Sequence, residues 1–132
     1  MAGSELSDAQ IGLLSDTIVR LVRRDKPDLS ARQLAIFLTC YLELQGQTVR
    51  GLAESLTLSR PAITRALDRL AQFDLVRRKP DPLDRRSIVI LRTTSGNAFL
   101  RELRSIMNAA SLSSVQKKPL PARQRVRLAA AI

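Results

Sequence analysis

The run Thr48-Val49-Arg50-Gly51-Leu52-Ala53-Glu54-Ser55-Leu56-Thr57-Leu58-Ser59-Arg60-Pro61-Ala62-Ile63-Thr64-Arg65-Ala66-Leu67-Asp68-Arg69-Leu70 decides the fold of this chain. Val49, Leu52, Ala53 and Leu56 recur at i, i+3, i+4 and i+7, and Ile63, Ala66, Leu67 and Leu70 repeat the pattern. The spacing predicts two short helices, each with one apolar stripe to bury. Thr57-Leu58-Ser59 separates them. The Ser59 hydroxyl can accept from the N–H groups that open the second helix, and Pro61 suits a first turn whose N–H groups lack intrahelical partners. Two helices joined by a three-residue turn form a helix-turn-helix.

Downstream, Leu75 to Lys79 reads as a strand, Pro80 to Arg86 as a turn-rich charged tip, and Ser87 to Leu91 as a returning strand. A hairpin in this place makes the unit a winged helix. Upstream, residues 1–7 are small and polar and are expected to fray. A first helix is expected from about Asp8 to Arg24, capped by Ser7, with Ile11, Leu14, Ile18, Leu21 and Val22 inward. Leu13 and Val19 lie off that stripe, a second apolar surface that suits either a second subunit or burial within the monomer. Lys26-Pro27-Asp28 ends this helix.

Ser30 caps a second helix to about Leu44, with Leu34, Phe37, Leu38, Tyr41 and Leu42 inward and Gln45-Gly46-Gln47 closing it. After the wing, Thr94 or Ser95 can start a helix through Asn108 carrying Phe99, Leu103, Ile106 and Met107. Ser111 to Ser114, then Pro119 and Pro121, interrupt the chain and leave a short basic helix from Pro121 to Ile132. The fold class is therefore mainly α: a winged helix-turn-helix with flanking N- and C-terminal helices and a two-stranded β wing. Its segments are 1–28, a helix available for dimerisation; 29–93, the winged helix-turn-helix; and 94–132, a helix and basic tail also available for dimerisation.

At 132 residues the chain is one domain by length. Aromatic content of 3% with no Trp points to a helical core of Leu, Ile, Val and Ala. No apolar run approaches membrane-spanning length, and Met1 to Glu5 lacks the basic-then-apolar start of a secretory signal, so no membrane partner is expected and the cytoplasm is the expected compartment. Cys40 is the only cysteine and His is absent, which removes intrachain disulfides, ordinary zinc sites and every catalytic set that uses imidazole. An enzyme is not expected, and nothing calls for a cofactor. Cys40, with no Lys, Arg or His beside it in sequence, is expected to pack in the core.

The net charge of +10 points to a polyanionic partner. Residues 1–84 hold 12 basic and 11 acidic side chains, whereas 85–132 hold 10 basic against Glu102 alone, so nearly all the excess begins at the wing tip. A helix entering the major groove needs polar side chains opposite its buried stripe. Arg60, Ala62, Thr64, Arg65, Asp68 and Arg69 are expected to face outward. Arg65 suits guanine, because a guanidinium can donate to both O6 and N7; Thr64 and Ala62 suit methyl contact or close approach; Ser59 and Arg60 suit phosphate. Arg69 suits DNA or a surface pair with Asp68 or Asp74. At the wing, Arg85 or Arg86 can reach the adjacent minor groove with Asp84 orienting one of them, while Arg77, Arg78 and Lys79 flank the backbone.

The run Leu58 to Leu70, with Leu75-Val76-Arg77-Arg78, the wing-tip Asp84-Arg85-Arg86 and Leu91-Arg92-Thr93-Thr94-Ser95-Gly96, closely resembles the MarR family of bacterial transcription regulators over roughly residues 10–108. The resemblance implies double-stranded DNA as partner, the DNA-contacting roles above for Asp84, Arg85 and Arg86, a homodimer on a palindromic site, usually as a repressor, and a small anionic effector. It also implies a long terminal helix, which the interrupted C-terminal sequence does not predict. The alternative reading is a winged-helix protein-interaction module, an antirepressor or partner of another regulator.

Overall fold

The computed structural model describes residues 2–25 and 27–116. Five helices and one hairpin follow in order: α1 (Ala2–Arg23), α2 (Ala31–Leu42), α3 (Val49–Leu56), α4 (Arg60–Gln72), β1 (Val76–Pro80), β2 (Ile88–Arg92) and α5 (Thr94–Gln116). The hairpin is antiparallel, with Val76 opposite Arg92 and Pro80 opposite Ile88, each strand one residue later than the sequence suggests. An isolated bridge between Thr48 and Val89, with the Ile90 N–H donating to the Gln47 carbonyl at 2.9 Å, ties the wing to the start of α3.

The expected caps are present at α2 and α4. Ser30 accepts from the Gln33 N–H while the Gln33 side chain accepts from the Ser30 N–H, a reciprocal capping box. Ser59 accepts from the Ala62 N–H at 3.2 Å. Thr57, at φ 54°, occupies the left-handed region that ends α3, and the Leu58 N–H reaches back to the Ala53 carbonyl. The end of α2 differs from expectation. It closes at Glu43 in extended conformation, not through Gly46, because Arg92 supplies the donors: Nε to the Cys40 carbonyl at 2.9 Å and Nη2 to the Glu43 carbonyl at 2.7 Å.

The core differs as well. Phe37 is fully buried, stacked on Tyr41 at 4.3 Å between centroids and edge-on to Phe99 at 5.1 Å, so three of the four aromatic residues form its centre. Ile36, Leu52, Ile63, Leu67, Leu70 and Val76 surround them. Leu34 and Leu38 are half-buried, whereas Leu42, expected inward, is exposed because the buried arc of α2 runs through Ile36, Phe37, Cys40 and Tyr41.

Three expectations at the chain ends are corrected. α1 begins at Ala2, so Ser7 lies inside the helix and not at its start. Its expected inward stripe is largely turned outward: Ile11 is 63% exposed, Leu14 56% and Val22 68%, while Thr17 is buried with its hydroxyl donating to the Leu13 carbonyl at 2.7 Å. α1 packs on α5 through the neighbouring arc that includes half-buried Leu13 and Leu21, and among the described residues the Ile11, Leu14, Ile18 and Val22 row stays exposed. α5 does not stop at Asn108. It runs through Ser111 to Ser114 to Gln116, because no proline intervenes and Ala110 continues the buried side. Arg24 joins the two helices through a 2.6 Å pair with Glu102, its guanidinium 5.3 Å above the Phe99 ring. The expected helix from Pro121 to Ile132, and Lys26, lie outside the described residues.

Candidate nucleic-acid interface

α4 buries Ile63, Ala66, Leu67 and Leu70 and exposes Thr64, Arg65, Asp68 and Arg69, so the helical phase read from the sequence sets which side chains face outward. Ala62 is the exception. It is 7% exposed, not solvent-facing, because at one residue before Ile63 and four before Ala66 it falls on the edge of the buried arc. Arg60 and Pro61, in the first turn, are exposed, and Ser59 is exposed with its hydroxyl already engaged as the cap.

Arg65 and Arg60 make no ion pair or hydrogen bond through their guanidinium groups among the described residues. Arg69 pairs with neither Asp68 nor Asp74. Its Nη1 donates to Gln72 Oε1 at 3.1 Å and its guanidinium lies 4.7 Å over the Phe73 ring, so it is occupied along its own helix. Asp68 instead accepts from Arg78 Nη2 at 2.6 Å. This pair spans from the exposed face of α4 to the first wing strand and holds the two next to each other. Sequence reading missed it: the partners are ten residues apart, a separation that no helical or strand period brings together.

Along the exposed part of β1, Arg77 pairs with Asp74 at 3.4 Å, while Lys79 carries no partner among the described residues. At the tip, Asp84 Oδ1 accepts from the backbone N–H of Arg86 at 3.1 Å. The sequence reading has Asp84 orient a wing arginine; in the structure its carboxylate closes the turn on a backbone N–H and pairs with no guanidinium among the described residues. Arg85 and Arg86 have exposed side chains with no ion-pair partner among the described residues.

Behind this surface, Tyr41 joins the elements that set its geometry. Its hydroxyl donates to the Leu75 carbonyl at 2.5 Å and accepts from the Thr93 N–H at 3.0 Å, linking α2 to both ends of the wing. Thr93 Oγ1 donates to the Asp74 carbonyl at 2.5 Å and accepts from the Gly96 N–H at 2.9 Å, capping α5. Asp74, at φ 55°, makes the left-handed turn from α4 into β1, a conformation Asp tolerates better than most residues. Period marks Tyr41 as inward-facing, but nothing in composition or period gives its partners or the roles of Asp74 and Thr93; the glycine in the first turn of α5 is the one signal of a close approach.

Cys40 is buried, and burial pushes its thiol up to about 11, with Arg92 only partly opposing the shift. Nothing local to Cys40 points to Arg92, which arrives from 52 residues away. Below pH 9 the thiol is protonated in the folded and unfolded chain alike; between 9 and about 11 only the unfolded chain releases the proton, so stability falls across that window. At neutral pH the native protein is expected to react with a thiol reagent many times more slowly than the urea-unfolded chain, and equal rates would contradict a packing role for Cys40.

Several known proteins share this architecture. The sequence model of the MarR family matches residues 26–88. A MepR variant from S. aureus, solved bound to an oligodeoxyribonucleotide, superposes with a TM-score of 0.71 at 20% identity, covering 99% of this chain and 92% of that one. A MarR variant from E. coli gives 0.63 at 22% identity over 99% and 93%. BpsR of Bordetella bronchiseptica, whose DNA binding is regulated by 6-hydroxynicotinic acid, gives 0.58 at 18% identity over 99% and 89%. No curated protein sequence matches the chain. With its five helices and its two-stranded wing, the chain has the winged-helix fold of these MarR-type structures and carries at its centre, over residues 26–88, a segment that matches the MarR family.

Proposed function

We propose that this protein is a transcriptional repressor that binds duplex DNA as a homodimer at a palindromic site in the cytoplasm. One observation carries the reading: the exposed face of α4 presents Arg65, the Asp68–Arg78 pair holds that face beside the wing, and neither Arg65 nor the tip residues Arg85 and Arg86 have an ion-pair partner among the described residues. In that arrangement Arg65 and Thr64 read base edges in the major groove, Ser59 and Arg60 bind phosphate at the start of the helix, and the wing arginines enter the flanking minor groove. Arg77 and Lys79 position the backbone. Arg69, held along its helix, contributes charge without base contact.

The dimer reading rests on α1. Exposing the row Ile11, Leu14, Ile18 and Val22, with Met107 and Leu112 on α5, is costly for a monomer, and a two-fold pairing of α1 and α5 would cover it. Residues 1–28 and 94–132 then serve dimerisation and 29–93 the DNA. Two reading helices about one turn of DNA apart convert weak half-sites into a specific palindrome, and occupancy excludes polymerase. A largely apolar cavity of about 530 Å³ lined by Leu14, Ile18, Leu38, Leu42, Leu103 and Arg104 has the size for a small aromatic effector.

The test is a binding titration against salt with light scattering on the same samples. The expected result is a dimer whose affinity for duplex falls roughly a thousandfold between about 50 and 200 mM salt, as about six phosphate contacts require. A monomer indifferent to DNA at low salt would refute the proposal.

A further inference from the structure

Among the described residues, the large hydrophobic side chains that are strongly exposed belong to α1, to the end of α2 with Leu44 just after it, or to α5, apart from Leu83, which is 96% exposed at the wing tip. The dimer face explains most of the others and cannot explain Leu83, which lies in the winged segment between β1 and β2.

The tip is a built turn. The Leu83 N–H donates to Asp81 Oδ1 at 2.9 Å, the Asp84 N–H to the Asp81 carbonyl at 3.2 Å, the Arg86 N–H to Asp84 Oδ1 at 3.1 Å, and the Asp81 N–H to the Ser87 carbonyl at 2.9 Å. Pro82 fixes the preceding φ. Both tip carboxylates are therefore spent on the backbone, and Leu83, outside the core, is presented on an ordered loop beside two arginines that have no ion-pair partner among the described residues. Turn positions of this kind normally carry polar residues.

Resting on the DNA-binding reading above, we infer that Leu83 is an apolar wedge that packs against the deoxyribose walls of the minor groove entered by the wing. The groove is lined by sugar C–H groups and its negative potential draws in Arg85 and Arg86, which bring Leu83 against those walls. The arginines supply the salt-dependent part of the contact. Leu83 supplies a part that releases no counterion, because it neutralises no phosphate.

The experiment compares the full-length protein with Leu83→Ser, Leu83→Met and Arg85→Ala on a duplex selected by the wild type, across a salt series. Leu83→Ser is expected to bind about tenfold more weakly at every salt concentration, with a plot of log affinity against log salt parallel to wild type. Leu83→Met is expected to restore affinity to within about twofold, and Arg85→Ala to flatten the slope by about 1 per protomer, about 2 for the dimer. Hydroxyl-radical protection of the sugars flanking the reading-helix footprint should vanish in Leu83→Ser, while its thermal melting stays at the wild-type value because the side chain packs on nothing in the fold. Leu83→Ser binding within about twofold of wild type, or retaining the flanking protection, overturns the wedge alone. A wild-type protein that binds no duplex overturns the DNA-binding reading, and the wedge with it.

Discussion

Replacing Gly96 by alanine is expected to unfold the protein or destabilise it by about 3 kcal/mol or more, read as a large drop in the urea midpoint. A Cβ at this position would overlap the Tyr41 hydroxyl oxygen and Cζ and stand 2.5 Å from the Leu75 carbonyl oxygen. Real side chains do not approach so closely, and the backbone atom cannot swing aside. Tyr41→Phe would remove only the first of these obstacles, so the double variant is expected to remain severely destabilised. Alone, Tyr41→Phe should cost about 1–3 kcal/mol, since it strips the Leu75 carbonyl and the Thr93 N–H of their shared partner. If Gly96→Ala melted like wild type, the close approach of α5 to the reading head would be wrong.

That approach marks a boundary of what sequence can show. Periodicity placed α3, α4 and the hairpin within a residue or so, because their apolar stripes are short and strictly one-sided and Ser59 and Pro61 punctuate them. It misjudged α1, where apolar residues occupy more than one face and nothing local says which of them α5 will cover. It also stopped α5 early. Three serines near Ser111 resemble a break, yet a helix held by packing along its length tolerates them. Arg92 closing α2 and Tyr41 bridging Leu75 to Thr93 depend on partners 34 to 52 residues distant, which no window of sequence contains.

Arg65→Ala is expected to lower affinity for the best site about 10- to 100-fold for each guanine it no longer reaches and to remove the preference at that base position, with the fold unchanged because the side chain is exposed. Two such guanines on a palindrome would compound the effect. Arg65 has no competing partner in its own chain among the described residues, in contrast to Arg69, whose guanidinium is engaged by Gln72 and Phe73. An Arg69→Ala variant should accordingly keep the base preference. Most of the candidate interface was legible because a helix with one buried stripe dictates its opposite face. Ala62 was misassigned, since a small residue at the stripe's edge reads equally well on either side. The pairing of Asp68 with Arg78, which joins α4 to the first wing strand, became visible only in three dimensions.

Selection of bound fragments from a random duplex pool, run in parallel for wild type, Arg65→Ala and Lys79→Ala, tests the role of the α4 face most directly. Wild type should return a palindrome. Arg65→Ala should return the same palindrome with one position in each half-site flattened, and Lys79→Ala should return an unchanged profile at lower overall affinity. Identical profiles for Arg65→Ala and Lys79→Ala, or no enriched sequence for wild type, would contradict the assignment of α4 as the reading helix.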